Sequence, residues 1–229
     1  MKFGSKTYYD DYYLRGFDTQ DFNNDGTDEI FVISYHRPDW PTQLVLLDYQ
    51  GKKIGEYWNA GQLDDYLVTD LDDDGKKELI AVGLNNEYRQ GCLLAFDPQK
   101  VTGGSPQTEA DFISPDLGRG SELYYVLFPR TDVDLAGHSV EYESIVRIRQ
   151  VDDIVFRLDT FLSGIFFFLD HRFVVRDITF SHQFMRFHNE ARRNGLIVSV
   201  LDEEYGRKLK AGLLYFDGAS WSSKPTPQR

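Results

Sequence analysis

Two short segments of the chain carry oxygen-bearing side chains at matching positions, a pattern suited to binding a metal ion. The first reads DFNNDGTDE over residues 21–29, and the second reads DLDDDGKKE over residues 70–78. In both, an acid or an amide stands at positions 1, 3, 5 and 9, and a glycine stands at position 6. The side chains concerned are Asp21, Asn23, Asp25 and Glu29 in the first segment and Asp70, Asp72, Asp74 and Glu78 in the second.

The charge of these segments favours calcium. Carboxylates crowded this closely repel one another unless a cation lies between them, and Ca²⁺ accepts about 6–8 oxygen ligands in flexible geometry. The glycine supplies the positive φ that curls the chain around an ion, which makes the backbone carbonyl of position 7, Thr27 or Lys76, a further ligand. The sequence therefore predicts two Ca²⁺ sites. The alternative is a solvated acidic turn, and two copies with matching positions argue against it.

The position of the last acid distinguishes these loops from EF-hands. An EF-hand needs a glutamate at position 12, where this chain has Val32 and Ala81. An acid at position 9 followed at once by an apolar run resembles instead the FG-GAP or VCBS repeat, the calcium-loop blade of integrin-α-type β-propellers. The resemblance covers both loops, the strand after each loop and the strand before the second. It implies a binding module of an extracellular or periplasmic protein, as one part of a larger chain.

The spacing of the two loops agrees with a repeat architecture. Their first residues are 49 positions apart, and a four-stranded propeller blade takes about 40–50 residues. Aromatic residues make up 15% of the chain, and short apolar runs are bounded by Gly, Asp, Asn and Pro, which is typical of all-β proteins. We expect a single β-propeller domain over residues 1–229, with about four antiparallel four-stranded blades, or an arc of a larger propeller. The expected repeats span residues 12–58, 66–100, 123–169 and 172–221.

Several strands are assigned within these repeats. Tyr66–Thr69 and Leu123–Phe128 are predicted as the innermost strands of their blades, and Arg172–Phe180 as an inner strand of the last repeat. Residues 101–111 are predicted as a loop, because they are too polar and glycine-rich for a strand. A short helix is expected over residues 182–195, followed by a closing hairpin near Trp221. Residues 222–229 are expected to be a disordered tail.

Charge and hydropathy exclude several classes of partner. The net charge of -12 argues against a nucleic-acid partner or an anionic membrane surface, because both attract basic faces. No apolar run approaches the roughly 18 residues of a membrane span, so we expect no membrane insertion. The N-terminus lacks the apolar core of a signal peptide. The single cysteine, Cys92, excludes an internal disulfide.

The motifs favour binding over catalysis. Metalloprotease, nucleophile-elbow and phosphate-loop motifs are missing from the sequence. The segment YLVTDLDDDG is similar to the strand and DxD of haloacid-dehalogenase phosphatases, but Asp73-Asp74-Gly75 stands where those enzymes have a small hydroxyl residue and an aliphatic one. We therefore expect a non-enzymatic binding or scaffold module for a protein ligand. The alternatives are a lectin-like, carbohydrate-binding propeller and a metal-dependent phosphatase.

Two loops at the opposite end of the predicted blades form a candidate partner surface. Antiparallel topology places residues 36–41 and 85–90 away from the acidic loops, since each connects the second and third strands of its repeat. Both loops carry an arginine and an aromatic residue, types that dominate binding hot spots. The predicted partner-binding residues are Arg37, Trp40, Tyr88 and Arg89.

Overall fold

The computed structural model describes residues 2–3, 6–7, 12–37, 41–108, 113, 115–128, 144–152, 155–160, 165–180 and 213–225, and this part of the chain is all-β. Its only helical elements are short 3-10 turns at Pro98–Lys100 and Pro115–Leu117. None of its helices is long and apolar enough to cross a lipid bilayer. The strands are β1 (Lys2–Phe3), β2 (Lys6–Thr7), β3 (Tyr12–Gln20), β4 (Glu29–His36), β5 (Thr42–Leu47), β6 (Lys53–Asn59), β7 (Leu63–Thr69), β8 (Glu78–Asn85), β9 (Gln90–Phe96), β10 (Thr102–Gly104), β11 (Tyr124–Leu127), β12 (Ile145–Gln150), β13 (Val155–Thr160), β14 (Ile165–Asp170), β15 (Val175–Phe180), β16 (Leu214–Phe216) and β17 (Trp221–Ser222).

Three larger sheets account for most of these strands, and β1 and β2 form a small hairpin of their own. The first sheet has the order β10-β6-β5-β4-β3, the second β17-β16-β11-β9-β8-β7, and the third β12-β13-β14-β15. Each sheet contains an antiparallel meander of strands that are consecutive in sequence: β3 to β6, β7 to β9 and β12 to β15. The sheets therefore follow the chain in order.

The burial pattern of the strands shows how the sheets are layered. In β4 and β5 buried and partly buried residues alternate, because one face of the first sheet is covered. In β8 almost every residue is buried, because the second sheet is covered on both faces. Phe31 and Leu44 of the first sheet share a core with Leu94 of the second. Val82, on the other face of the second sheet, shares a core with Leu158 of the third. The second sheet is thus the middle layer.

The first strands of the three meanders lie side by side. The Tyr66 hydroxyl on β7 donates to the Phe17 carbonyl on β3 at 3.1 Å. On the other side of β7, the Asp65 carboxylate accepts from the Ile148 backbone N–H of β12 at 3.1 Å. The Thr69 hydroxyl likewise donates to the side chain of Gln150 at 3.1 Å. β3, β7 and β12 therefore form one row of adjacent sheet edges.

The segment after Asp97 contains a strand where a loop was predicted. Residues 101–111 were expected to form a loop, but Thr102–Gly104 form β10, which pairs in parallel with β6. The outer edge of β6 has backbone groups that need partners. Glu56 N–H donates to the Val101 carbonyl at 2.8 Å, and Ser105 N–H donates to the Trp58 carbonyl at 2.9 Å. The hydrogen bonds gained by the unpaired backbone groups of β6 outweigh the low strand propensity of the segment.

The assignment of Leu123–Phe128 as an innermost strand is also wrong. β11 pairs antiparallel with β9, with Tyr125 opposite Leu94, so it is an interior strand of the second sheet. Tyr125 belongs to the core between the first and second sheets, whereas Val126 belongs to the core between the second and third. A strand that is apolar on both faces fits only between two layers. The strand that lies beside β7 in the third sheet is β12.

The last part of the chain is divided between two sheets. Within Arg172–Phe180, β15 pairs with β14 at the edge of the third sheet remote from β12, so it is not an inner strand. The hairpin near Trp221 forms as β16 and β17, and it extends the second sheet next to β11. Ser222, the first residue of the predicted tail, belongs to β17. The helix predicted over residues 182–195 lies outside the described residues, as do residues 226–229.

Candidate metal centre in the acidic loops

Both acidic loops connect the first strand of a meander to the second, and the two loops are neighbours. The first joins β3 to β4, and the second joins β7 to β8. The side-chain amide of Asn24 reaches across to the backbone carbonyl of Gly75 at 3.4 Å. Positive φ angles occur at the same two positions of each loop, 59° at Asn24 and 87° at Gly26 in the first, 60° at Asp73 and 83° at Gly75 in the second. The sequence repeat is therefore a repeat of backbone conformation.

The aspartates at positions 1 and 5 are held by backbone donors in both loops. Asp21 accepts the N–H groups of Asp25 and Gly26 at 3.0 and 2.8 Å. Asp70 accepts the equivalent N–H groups, of Asp74 and Gly75, at 3.2 and 2.8 Å. At position 5, Asp25 accepts from Thr27 N–H at 2.9 Å, and Asp74 accepts from Lys76 N–H at 2.8 Å. These bonds fix the carboxylates without neutralising them.

The glutamate at position 9 closes each loop from the start of the next strand. Glu29 is 5% exposed and Glu78 is 8% exposed. Their Oε2 atoms accept the backbone N–H of position 2, from Phe22 at 3.0 Å and from Leu71 at 2.8 Å. Burial of a negative charge so close to aspartates is costly. Each loop consequently carries a buried acid whose charge needs a counterpart.

The pKa values of the two glutamates express this cost. Burial, followed by the nearby charges of Asp72, Asp74 and Asp70, raises the pKa of Glu78 to about 7. Burial and the charges of Asp25 and Asp21 also raise the pKa of Glu29. In both loops the backbone N–H of position 2 opposes the shift. Without a metal ion, the second loop therefore holds a proton on Glu78 at pH values well above the usual range of a carboxylic acid.

Position 3 makes the two loops different. The Asn23 amide donates to Oε1 of Glu29 at 2.8 Å, so both oxygens of that glutamate have partners. Asp72 has no hydrogen to donate when ionised. Among the described residues, Glu78 Oε1 has no hydrogen-bond partner, and its carboxylate converges with those of Asp70 and Asp72 to within 4.8 Å. Oxygens that share one Ca²⁺ at about 2.3–2.6 Å lie within about 5 Å of each other, so the second loop fits a calcium ion.

The remaining predicted ligands stand at the margin of this group. Asp74 is exposed, and its Oδ2 lies 3.5 Å from the ammonium of Lys76. Asp25 is exposed in the first loop and is bonded to Thr27 N–H. Among the described residues, only the second loop brings three carboxylates together, those of positions 1, 3 and 9. In both loops position 5 stabilises the turn. Coordination of the ion by position 5 stays a prediction from the sequence.

Three of the four predicted partner-binding residues lie in the described part of the chain, and their role in binding a partner stays a prediction. Arg37 is exposed, with its guanidinium 5.2 Å from the ring centroid of Tyr13. Arg89 is exposed at a φ of 54° between β8 and β9. Tyr88 packs edge-on against Trp221, with ring centroids 5.2 Å apart, and lines a cavity of about 420 Å³ that Arg37 and Arg89 do not line. Trp40 lies outside the described residues.

A second cleft, which the sequence did not predict, lies beside the second acidic loop. It has a volume of about 350 Å³, and its lining includes Asp72, Glu78, Tyr124, His171 and Arg172. These side chains come from the loop after β7, the start of β11 and the turn between β14 and β15. No local sequence pattern could connect them, because the stacking of the second and third sheets brings the three segments together.

The only cysteine is buried in the core between the first two sheets. Burial raises the pKa of the Cys92 thiol to about 12. The thiolate is the reactive form of cysteine, so this side chain is a packing residue and not a nucleophile at neutral pH.

The chain was compared with protein-family models and with curated protein sequences. No protein-family model matches the chain, and no curated protein sequence matches it. The resemblance to FG-GAP and VCBS repeats therefore stays a prediction that rests on the two loops and their flanking strands.

Proposed function

We propose that this protein is a calcium-binding, non-catalytic binding module whose stacked sheets are blades of a β-propeller or of an arc of one. The observation that carries the proposal is the convergence of Asp70, Asp72 and Glu78 to within 4.8 Å. A buried glutamate with one oxygen unpaired, next to two aspartates, is stabilised by a cation that replaces the proton. Asp74 and the Lys76 carbonyl complete the proposed ligand set.

The arrangement of the sheets supports the propeller part of the proposal. In a propeller, blades of four antiparallel strands surround a central channel. Here three sheets stack in chain order, and the first strands of their meanders lie side by side. Both acidic loops follow these first strands, so the proposed ions lie at one end of the row. The extracellular or periplasmic location implied by the resemblance belongs to the same proposal.

Calorimetric titration with calcium tests the metal site. We expect calcium to bind the wild-type protein, and the Asp72→Asn variant to lose affinity in the second loop. Asp73→Asn is the matched control, because it removes one negative charge from the same loop at a position outside the proposed ligand set. Equal calcium affinity in the two variants would mean that the loop attracts calcium only through its total charge. A wild-type protein that binds no calcium would refute the proposal.

A further inference from the structure

The cleft beside the second acidic loop has acidic side chains on one side and a histidine and an arginine on the other. Asp72 and Glu78 lie on the loop side, and His171 and Arg172 lie on the turn between β14 and β15. Its volume of about 350 Å³ falls in the range of about 300–1,000 Å³ that is typical of small-molecule sites. The cleft is therefore large enough for a ligand the size of one sugar unit.

The basic side chains of this cleft are available to a ligand. His171 and Arg172 are exposed, and within the described part of the chain neither side chain makes an ion pair or a hydrogen bond. Tyr124 lies within electrostatic reach of both sides: burial raises its pKa, the charge of Arg172 lowers it, and those of Asp72 and Asp170 raise it. Opposite charges thus face each other across a gap without closing it.

The turn that carries these side chains is held rigidly. Phe173 adopts a φ of 57°, an unusual value for a bulky residue. Its side chain is fully buried and packs edge-on against Tyr124, with ring centroids 5.1 Å apart. Asp170 Oδ1 accepts the backbone N–H groups of Arg172 and Val174 at 2.9 and 3.0 Å. A backbone fixed in this way presents His171 and Arg172 to the cleft from a defined position.

The coordination of calcium leaves room for a ligand from the cleft. This step rests on the proposed calcium site. Ca²⁺ accepts about 6–8 oxygens, whereas the loop offers four carboxylates and the carbonyl of Lys76. Because Asp72 and Glu78 line the cleft, an oxygen that enters the cleft can complete the coordination of an ion that they hold.

We propose that the second acidic loop and the β14–β15 turn form one binding site for an acidic sugar unit, whose carboxylate bridges the calcium ion and Arg172. A carboxylate matches both the ion and the guanidinium. The hydroxyl groups of a uronate match the remaining polar groups of the cleft, since they donate to Asp73 and bond to His171 and the Tyr124 hydroxyl. A simple carboxylic acid can contact the ion and Arg172 but has no hydroxyl groups for the other polar side chains.

Titration of D-galacturonate and D-glucuronate into calcium-saturated protein tests this site. We expect at least one uronate to bind with calcium and not with chelator. Arg172→Ala should weaken that binding roughly 10- to 100-fold, the range for one charge-assisted hydrogen-bonded contact, and should leave the calcium affinity unchanged. Arg149→Ala is the matched control, because it removes an exposed arginine from the same sheet outside the cleft. This control should bind as the wild type does.

Three outcomes would overturn the inference. One is a protein that binds calcium but neither uronate, which would leave the calcium site intact and refute only the sugar site. Another is equal binding of neutral D-galactose, since the carboxylate would then contribute nothing. The third is equal binding of N-acetylaspartate, since the hydroxyl groups would then be irrelevant. Failure to bind calcium itself would refute the proposed function, so the two failures are distinguishable.

Discussion

In the first acidic loop the amide of Asn23 donates to Glu29, whereas in the second loop Asp72 offers Glu78 only another negative charge. The backbone of the two loops is otherwise the same, down to the positions of positive φ. The side chain at position 3, an amide in one loop and a carboxylate in the other, therefore decides whether the buried glutamate receives a second hydrogen bond from the protein. In the first loop a hydrogen bond within the protein does it, whereas in the second loop Oε1 faces the cleft and is open to water, a proton or a metal ion. The first loop is built to persist without metal, and the second is built to respond to it.

The largest expected effect of this difference is on how the free energy of unfolding depends on pH in the presence of a chelator. The folded pKa of Glu78 is about 7, above its ordinary value of 4.5. The folded state therefore binds the proton more tightly than the unfolded state does, and stability falls as pH rises from about 4.5 to about 7. The loss amounts to up to about 3 kcal/mol. Chemical denaturation across this pH range measures it.

Two variants identify the glutamate that causes this loss. Glu78→Gln should remove the part of the pH dependence that Glu78 contributes, because the amide cannot titrate. Burial also raises the pKa of Glu122 to about 7, and that contribution stays the same in both variants. Glu29→Gln should remove less, since the first loop already satisfies its glutamate with Asn23. An equal effect of both substitutions would contradict the distinction between the loops.

Calcium removal should have the next largest effect. An ion that binds only the folded state adds about 2.7 kcal/mol at a hundredfold excess over its Kd. We expect chelation at neutral pH to lower the melting temperature, and Glu78→Gln to abolish more of the calcium-dependent increase than Glu29→Gln does. Differential scanning calorimetry with and without calcium measures both. A larger loss in Glu29→Gln would reverse the ranking of the sites.

Exchange of the residues at position 3 sharpens the comparison. Asp72→Asn should weaken calcium binding at the second loop about tenfold, because ligand charge is one of the two factors that set calcium affinity. Asn23→Asp should strengthen binding at the first loop by a similar factor. The double exchange should then invert the order of the two sites in a calorimetric titration. If the affinities follow loop position instead of residue type, rigidity and not charge ranks them.

The smallest effect concerns the contact between the loops. The Asn24 amide lies 3.4 Å from the Gly75 carbonyl on an exposed surface, so its loss should cost only about 0.5 kcal/mol. We expect Asn24→Gly, which removes the amide and tolerates the φ of 59°, to leave both calcium affinities nearly unchanged. A substantial change in the affinity of the second loop would show that the two sites are energetically coupled.

Short-range patterns predicted the parts of the structure that neighbouring residues determine. The two acidic loops curl at the glycines of position 6, with φ angles of 87° at Gly26 and 83° at Gly75. In both places a local backbone conformation requires glycine. The apolar run after each acidic loop likewise predicted a strand, and these strands are β4 and β8.

Partners remote in sequence determined the parts that were missed. YYVL of β11 is as apolar as YLVT of β7, yet one strand is interior and the other lies at an edge. This choice depends on the neighbouring strands, β9 and β16 for β11 but only β8 within the sheet for β7, which no single stretch of sequence encodes. The cleft beside the second loop has the same origin, since its lining comes from three segments that meet only when the sheets stack.

The parallel pairing of β10 with β6 has a consequence for how the molecule comes apart. The chain leaves the second sheet after β9, completes the outer edge of the first sheet, and returns to the second sheet as β11. A polypeptide cut after the first meander would therefore lack its own last strand, and would expose an edge open to pairing with other chains. The first two sheets should unfold as a single cooperative unit, with β6 and β9 sharing one rate of amide hydrogen exchange.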